Sequence, residues 1–402
     1  MLAAAKVRVV FAPILQNLIR YVHMDKRVTL QVSAAIAVGV LVAIVVLWNY
    51  LPDTVATAET AGVSVVSDAT VVGDDQVDLP LEPPPLPPLD TAAYDLKLRQ
   101  LAHFVESVDE SDDHPQPLLD EGGETRVAEP LWPVIVAYPN PGAILPFNRI
   151  VAYYGNFYSR GMGVLGQYDP DEMLRRLAVE VAAWNAADPS TPVVPAIDYI
   201  AATAQLSPGA DGKYRFRMPD SQKDKAVELA ARIGGIVILE VQSGLADVMG
   251  EVRHLEPYLL MPNVHLAIDP EFAMIASGRR PGTVVGTVDA TTINEAAEYL
   301  AALVRDNNLP PKILMVHRYT RAMVTNATKI VPLPEVQIIM DMDGWGPPAQ
   351  KIDSYLAYIQ AYPVQFTGFK LFYRNDFWGG GRMMTPEEIL ALTPSPSFIQ
   401  YQ

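Results

Sequence analysis

From about residue 132 onward the chain alternates short, apolar, β-branched runs with amphipathic stretches of helical spacing. This alternation restricts the fold more than any other feature. Runs that feed crossover helices lie parallel in one sheet, so the pattern specifies an α/β architecture. The runs are 149–155 (RIVAYYG), 192–199 (PVVPAIDY), 236–242 (IVILEVQ), 264–269 (VHLAID), 313–319 (ILMVHRY), 336–343 (VQIIMDMD) and 368–373 (GFKLFY). A further run at 284–288 fits either a short strand or a loop. Between them, Asp169-Pro170-Asp171-Glu172 opens a helix and Gly234-Gly235 stops one. Thr292-Ile293-Asn294-Glu295 has capping-box spacing, and Thr385-Pro386-Glu387-Glu388 opens the last helix. Seven clear runs and one ambiguous run match the size of a (β/α)8, TIM-like barrel with one irregular unit. An open, doubly wound sheet is the competing architecture. No glycine-rich dinucleotide turn follows the first run, which counts against it.

Upstream, residues 28–51 contain no charged side chain. At about 1.5 Å per residue they are long enough to cross a hydrocarbon core of roughly 30 Å. Trp48 and Tyr50 sit at the outer end of this run, while Lys6, Arg8, Arg20, Lys26 and Arg27 outweigh Asp25 on its inner flank. The positive-inside rule then places residues 1–27 in the cytoplasm and the C-terminal domain outside it. A cleaved signal peptide needs a shorter apolar region with a small-x-small site close behind. Ala56-Thr57-Ala58 lies past the end of the run, which favours an uncleaved single-pass anchor in the cell membrane. Residues 1–20 fit equally an interfacial helix on the inner leaflet or a frayed tail.

Residues 1–27 carry +4 and residues 52–130 carry −15, so the chain's −16 leaves −5 for 131–402. The acidity therefore belongs to a stalk and not to the barrel. Residues 80–88 (PLEPPPLPP) form a polyproline rod, a spacer in preference to a ligand for an aromatic groove. Self-repelling charge favours disorder in the rest. One stretch, 91–108, has helical spacing at Leu96, Leu98, Leu101, Phe104 and Val105. It reads as a helix packing on the domain or as a seam for self-association. The chain has no cysteine, which removes disulfides and thiolate chemistry, and no basic stripe, which counts against nucleic acid.

In such barrels the chemistry sits at the C-terminal ends of the strands. The candidate catalytic residues there are Asp198, Glu240, Asp269, Glu271, Asp341 and Asp343. Candidate substrate-binding residues are Tyr154, Tyr199, His317, Tyr319, Trp345, Lys370, Tyr373 and Trp378. Carboxylates beside aromatic rings compose a carbohydrate cleft: rings stack on sugar faces, and acids bond hydroxyls and move protons. Asp198 and Glu240 lie inside apolar runs, where an unpaired carboxylate is costly, so they belong to a site or to interior ion pairs. Asp269 and Glu271, like Asp341 and Asp343, are two residues apart. On extended backbone such side chains point the same way, as an acid/base pair requires. Asp289 and Asp376 read as caps or loop residues. His23, His103, His114, His254, His265 and His317 show no metal-site spacing, and no nucleophile elbow or phosphate loop occurs. Neither a metal nor a cofactor is expected.

Residues 264–272 (VHLAIDPEF) resemble barrel glycoside hydrolases that carry Asp-x-Glu at the end of their fourth strand, lysozyme-type muramidases among them. The opening RIVAYYG with the following GMGVLGQY is similar to uncharacterised secreted or lipid-anchored bacterial barrel proteins of the glycoside-hydrolase-like kind. The likeness covers 149–393, and Pro270 departs from it by stiffening the middle of the motif. It implies a barrel whose catalytic or stabilising carboxylates are Asp269 and Glu271. The expected function is hydrolysis or binding of a cell-envelope or extracellular polysaccharide. One of Asp269, Glu271 or Glu240 acts as general acid, and Asp198, Asp341 or Asp343 as base or nucleophile. A non-catalytic surface protein that uses the barrel as scaffold is the alternative.

Overall fold

A computed structural model of the chain describes residues 87–104 and 131–402. The tail at 1–27, the apolar run at 28–51 and the stalk segments 52–86 and 105–130 lie outside the described residues. Among the described residues no helix is long and apolar enough to cross a membrane.

Eight parallel strands close into a barrel: β1 (Arg149–Gly155), β2 (Val193–Ala204), β3 (Ile236–Val241), β4 (Val264–Ile268), β5 (Lys312–Arg318), β6 (Val336–Met342), β7 (Phe366–Leu371) and β8 (Phe398–Tyr401). Each pairs with its neighbours in sequence, and β1 pairs with both β2 and β8. Past the rim, β2 continues far enough to pair antiparallel with Arg215–Arg217. The eighth strand is therefore 398–401 and not the ambiguous run at 284–288. Of that run only Val288 is extended and paired, with Val324 in a separate two-stranded sheet.

A helix α1 (Thr91–Leu101) precedes the barrel. Helix α2 (Pro170–Ala187) follows β1, α3 (Asp220–Arg232) follows β2, and α4 (Val248–His254) with α5 (Glu256–Leu259) follows β3. Helix α6 (Ala290–Asn307) follows β4, α7 (Pro348–Tyr355) follows β6, and α8 (Pro386–Leu390) follows β7. The irregular unit is the link from β5 to β6, which holds only the 3-10 turns Arg321–Met323 and Ala327–Lys329 among its helical elements. Capping explains the starts. Asp169 accepts from the Glu172 N–H with Pro170 in the first turn, and Thr385 with Glu388 forms a reciprocal capping box. Helix α6 begins three residues before the Thr292 capping-box spacing suggests, because Asp289 caps it through the Thr291 N–H.

Strand alternation sorts the core into two shells. Val151, Ile197, Leu239, Leu266, Leu314, Ile338, Phe369 and Ile399 face the helices. Ile150, Ala152, Ala196, Ile236, Ile238, Ala267, Ile313, Met315, Ile339, Phe366 and Phe398 fill the N-terminal half of the interior. Helix α1 belongs to this inner cluster: Tyr94 is buried in it beside Leu145 and packs edge-on against Phe147, centroids 6.2 Å apart. Lys97 Nζ donates to the Ser190 carbonyl at 3.1 Å and to Thr191 Oγ1 at 2.6 Å, and the Ser395 N–H donates to the Leu101 carbonyl. Residues 91–101 thus pack on the domain, the first of the two readings, and the folded unit extends upstream of residue 131.

Candidate active site

The alternation that fills the lower interior with apolar side chains places polar ones in the next layer. Tyr154, Asp198, Glu240, Asp269, His317, Asp341, Lys370 and Gln400 come one from each strand or its end, and none is more than 4% exposed. Burying so many polar groups is tolerable only if they bond one another. His317 is the hub: Nε2 lies 2.8 Å from Glu240 Oε2, and Nδ1 lies 3.0 Å from Asp341 Oδ2. Tyr154 Oη donates to Glu240 Oε1 at 2.8 Å, and Gln242 Nε2 donates to the same oxygen at 2.9 Å. Gln400 Nε2 donates to Asp198 Oδ2 at 2.6 Å. The Asp341 carboxyl fits only because residue 368 is glycine. A Cβ there would stand 2.4 Å from Asp341 Oδ1.

Above this layer opens a cavity of about 600 Å³, lined by Tyr154, Gln242, Asp269, Glu271, Tyr319, Asp343, Trp345 and Lys370 among others. Asp269, Glu271 and Asp343 each bring one carboxyl oxygen within 4.8 Å of the other two. Asp269 Oδ1 also accepts from the Glu271 N–H at 2.9 Å, so it caps the 3-10 turn Pro270–Phe272 and faces the cavity at once. Glu271 hydrogen-bonds Tyr319. Asp343 Oδ1 lies 3.0 Å from Lys370 Nζ, and Asp343 Oδ2 lies 3.7 Å from His317 Nδ1. Lys370 Nζ also stands 3.8 Å over the Tyr154 ring, a cation–π contact out of bulk water.

The electrostatics divide these groups into two kinds. Burial and the Glu240 charge hold the Asp198 and Asp269 carboxyls well above the usual range. Burial and the Asp343 charge raise Glu271, and burial raises Asp341 against its hydrogen bond from His317. Burial pushes Glu240 up as well, but the His317 and Lys370 charges overcome it and set it below its ordinary value. Burial alone would discharge His317 and Lys370. The carboxylates of Asp343 and Glu240 reverse that and keep both cationic. The mouth therefore sets acids raised by burial, Asp269 and Glu271, above two positive charges, His317 and Lys370.

Fourteen residues were expected at the rim, and most converge. Asp269, Glu271 and Asp343 line the cavity with Tyr154, Tyr319, Trp345 and Lys370. Asp198, Glu240, His317 and Asp341 lie fully buried one layer below. Tyr199 and Tyr373 do not face the mouth. Tyr199 points into the helical shell and stacks on Phe157 at 4.9 Å, and Tyr373 Oη donates to Glu180 of α2 at 2.6 Å. Trp378 stands outside the cavity beside Trp345. Asp289 and Asp376 hold structure as read: Asp376 accepts from the Gly346 and Phe372 N–H groups. Gln400 and Gln402 were missed with β8. Their signal is the alternation of apolar Phe398, Ile399 and Tyr401 with glutamines over 398–402. Asp269, Glu271 and Asp343 are also the described residues best placed to hold a cation, a grouping invisible to histidine spacing. Lys370 already supplies Asp343 with a positive partner there. No family model matches the chain, and no curated protein matches it.

Proposed function

We propose that the barrel hydrolyses a glycosidic bond, with Glu271 as general acid and Asp343 as nucleophile or charge-stabilising carboxylate. The observation that carries this reading is the inequality of two carboxyls less than 5 Å apart. Burial and a negative neighbour favour the proton on Glu271, while Lys370 and His317 both stand against Asp343. A carboxyl raised by burial, beside a second carboxyl that is ion-paired to a lysine, suits acid/base cleavage of an acetal. The nearest oxygens of the two carboxyls lie within 4.8 Å of each other, and the first-formed anomer distinguishes retention from inversion.

Two rivals fare worse on the same geometry. A lysine Schiff base needs a depressed amine pKa, and that of Lys370 is raised. A scaffold would tie its acids to Lys or Arg, yet Asp269 bonds an amide and a backbone N–H, and Glu271 bonds a phenol. The apolar run at 28–51 supports a membrane anchor that holds the barrel outside the cytoplasm, where the substrate is a cell-envelope or extracellular glycan.

Glu271→Gln should lower turnover of a released sugar by about 10²- to 10⁴-fold, the usual contribution of a general acid. Its melting temperature should stay equal or rise, because crowded acids cost stability. Reducing-end assays on a panel of glycans, with NMR of the first-formed anomer, read both outcomes. If neither parent nor variant releases reducing ends and Glu271→Gln melts well below the parent, the acids are structural. Deleting residues 1–51 should move the protein from the membrane fraction to the supernatant. A full-length protein found in the supernatant would refute the anchor.

A further inference from the structure

Two loops on the β6–β7 side of the mouth present tryptophans to solvent. Trp345 lines the cavity and is 46% exposed, whereas Trp378 is 72% exposed. Their ring centroids are 6.4 Å apart with planes at 73°. Large rings left open beside a polar cavity mark a binding surface and do nothing for the core.

The loops are held together from beneath. Asp376, fully buried, accepts from the Gly346 N–H at 3.1 Å, from the Phe372 N–H at 2.9 Å and from Lys351 Nζ at 3.1 Å. Lys351 Nζ donates in addition to the carbonyls of Gly344 at 2.8 Å and Lys370 at 2.7 Å. One buried ion pair thus ties the Trp345 loop, the Trp378 loop and the end of β7 into a unit. The loops also touch closely, since a Cβ at Gly381 would stand 2.4 Å from the Asp376 carbonyl and 3.1 Å from Pro347. A buried charge pair is costly to assemble and weak as a stabiliser, but it fixes geometry. Here the geometry fixed is that of the two loops that carry the rings.

We propose that Trp345 and Trp378 form a saccharide platform outside the cavity, so that the substrate is a polymeric glycan running from the acids across the β6–β7 rim. This rests on the hydrolase reading of the cavity. Indole faces complement the C–H faces of pyranose rings, and loops already held in place reduce the ordering cost of binding. Trp345 makes the platform continuous with the cavity. Gln350, Ser354 and Tyr358 line the cavity with it and offer hydroxyl partners along the way.

The test uses full-length Glu271→Gln protein, which should bind without cleaving, and insoluble chitin, cellulose and peptidoglycan as probes. At least one polymer should retain it. Trp378→Ala in the same background should weaken that retention about tenfold, equivalent to about 1.4 kcal/mol, and Trp378→Phe should restore most of it. Equal retention with and without Trp378, or no retention on any of the three, overturns the platform. Turnover by the parent is scored separately. Retention that depends on Trp378 without turnover would keep the platform and discard the hydrolase.

Discussion

Asp198 shows what single residues do in this interior. One carboxyl oxygen takes the Gln400 amide and the other meets no protein partner, in a layer shared with ionised Glu240. Its folded pKa is raised above the unfolded value, so its contribution to stability is complete below about pH 4 and is lost as pH rises toward the folded value. Asp269, Glu271 and Asp341 act in the same direction, and His317 adds a loss that begins above about pH 6.5. His265, depressed to about 3 by burial, opposes them as pH falls from about 6.5 toward 3, and Glu240, also depressed, opposes them below about pH 4.5. The four raised carboxyls outnumber these two above about pH 4. The barrel should therefore melt highest in mild acid. Asp198→Asn, neutral at every pH, should match the parent near pH 4 and melt above it at pH 8. Thermal scans across that range decide it, and parallel curves would mean that Asp198 is charged in the fold. Parity explains which residues were legible. An inward Asp198 forces Tyr199 outward, and the same period of two places Lys370 and Phe372 inward and Tyr373 out against α2. Tyr199 and Tyr373 fall on the outward parity and so lie away from the mouth.

At the scale of elements, the strands with long β-branched runs were plain in the sequence and β8 was not. It spans four residues, carries Gln400 and follows Pro394 and Pro396, so its composition reads as a tail. Only closure of the barrel onto β1 makes it a strand, and closure is a long-range fact. The run at 284–288 misleads in the opposite way, since its valines satisfy local propensity while pairing gives them a two-residue bridge elsewhere. Helix α1 offers the sharpest test at this scale. Tyr94 is buried in the inner cluster, and Tyr94→Ala should cost about 3–5 kcal/mol, as large aromatic truncations do. Urea titration should show a lower midpoint with an unchanged slope. A midpoint within error of the parent would mean that α1 merely rests on the barrel.

For the whole molecule, charge and fold divide at different places. The acidity ends near residue 130, but the folded unit reaches back to include α1, because Tyr94 packs into the inner cluster and Lys97 and Leu101 bond to the barrel. Charge counts locate solvated chain and say nothing of a short helix tethered within it. A protein beginning at residue 82 should therefore melt like the full chain, whereas one beginning at 131 should melt lower and be cleaved faster by protease. Equal melting of the two would return α1 to the stalk.

The filled lower interior has a further consequence for how material moves. Among the described residues, Tyr94, Leu145 and the apolar residues above them close the lower end of the barrel, so that it is a well and not a pipe. A long chain cannot be drawn along the axis and released at the far end. On the proposed hydrolase reading, a polymer cut internally lies across the mouth with a short stretch dipping toward Glu271 and Asp343, and both severed halves leave by the face they arrived on. On the hydrolase reading, such an enzyme cuts within a polymer and lets go, and its products should shorten in scattered lengths instead of shedding a uniform unit from one end.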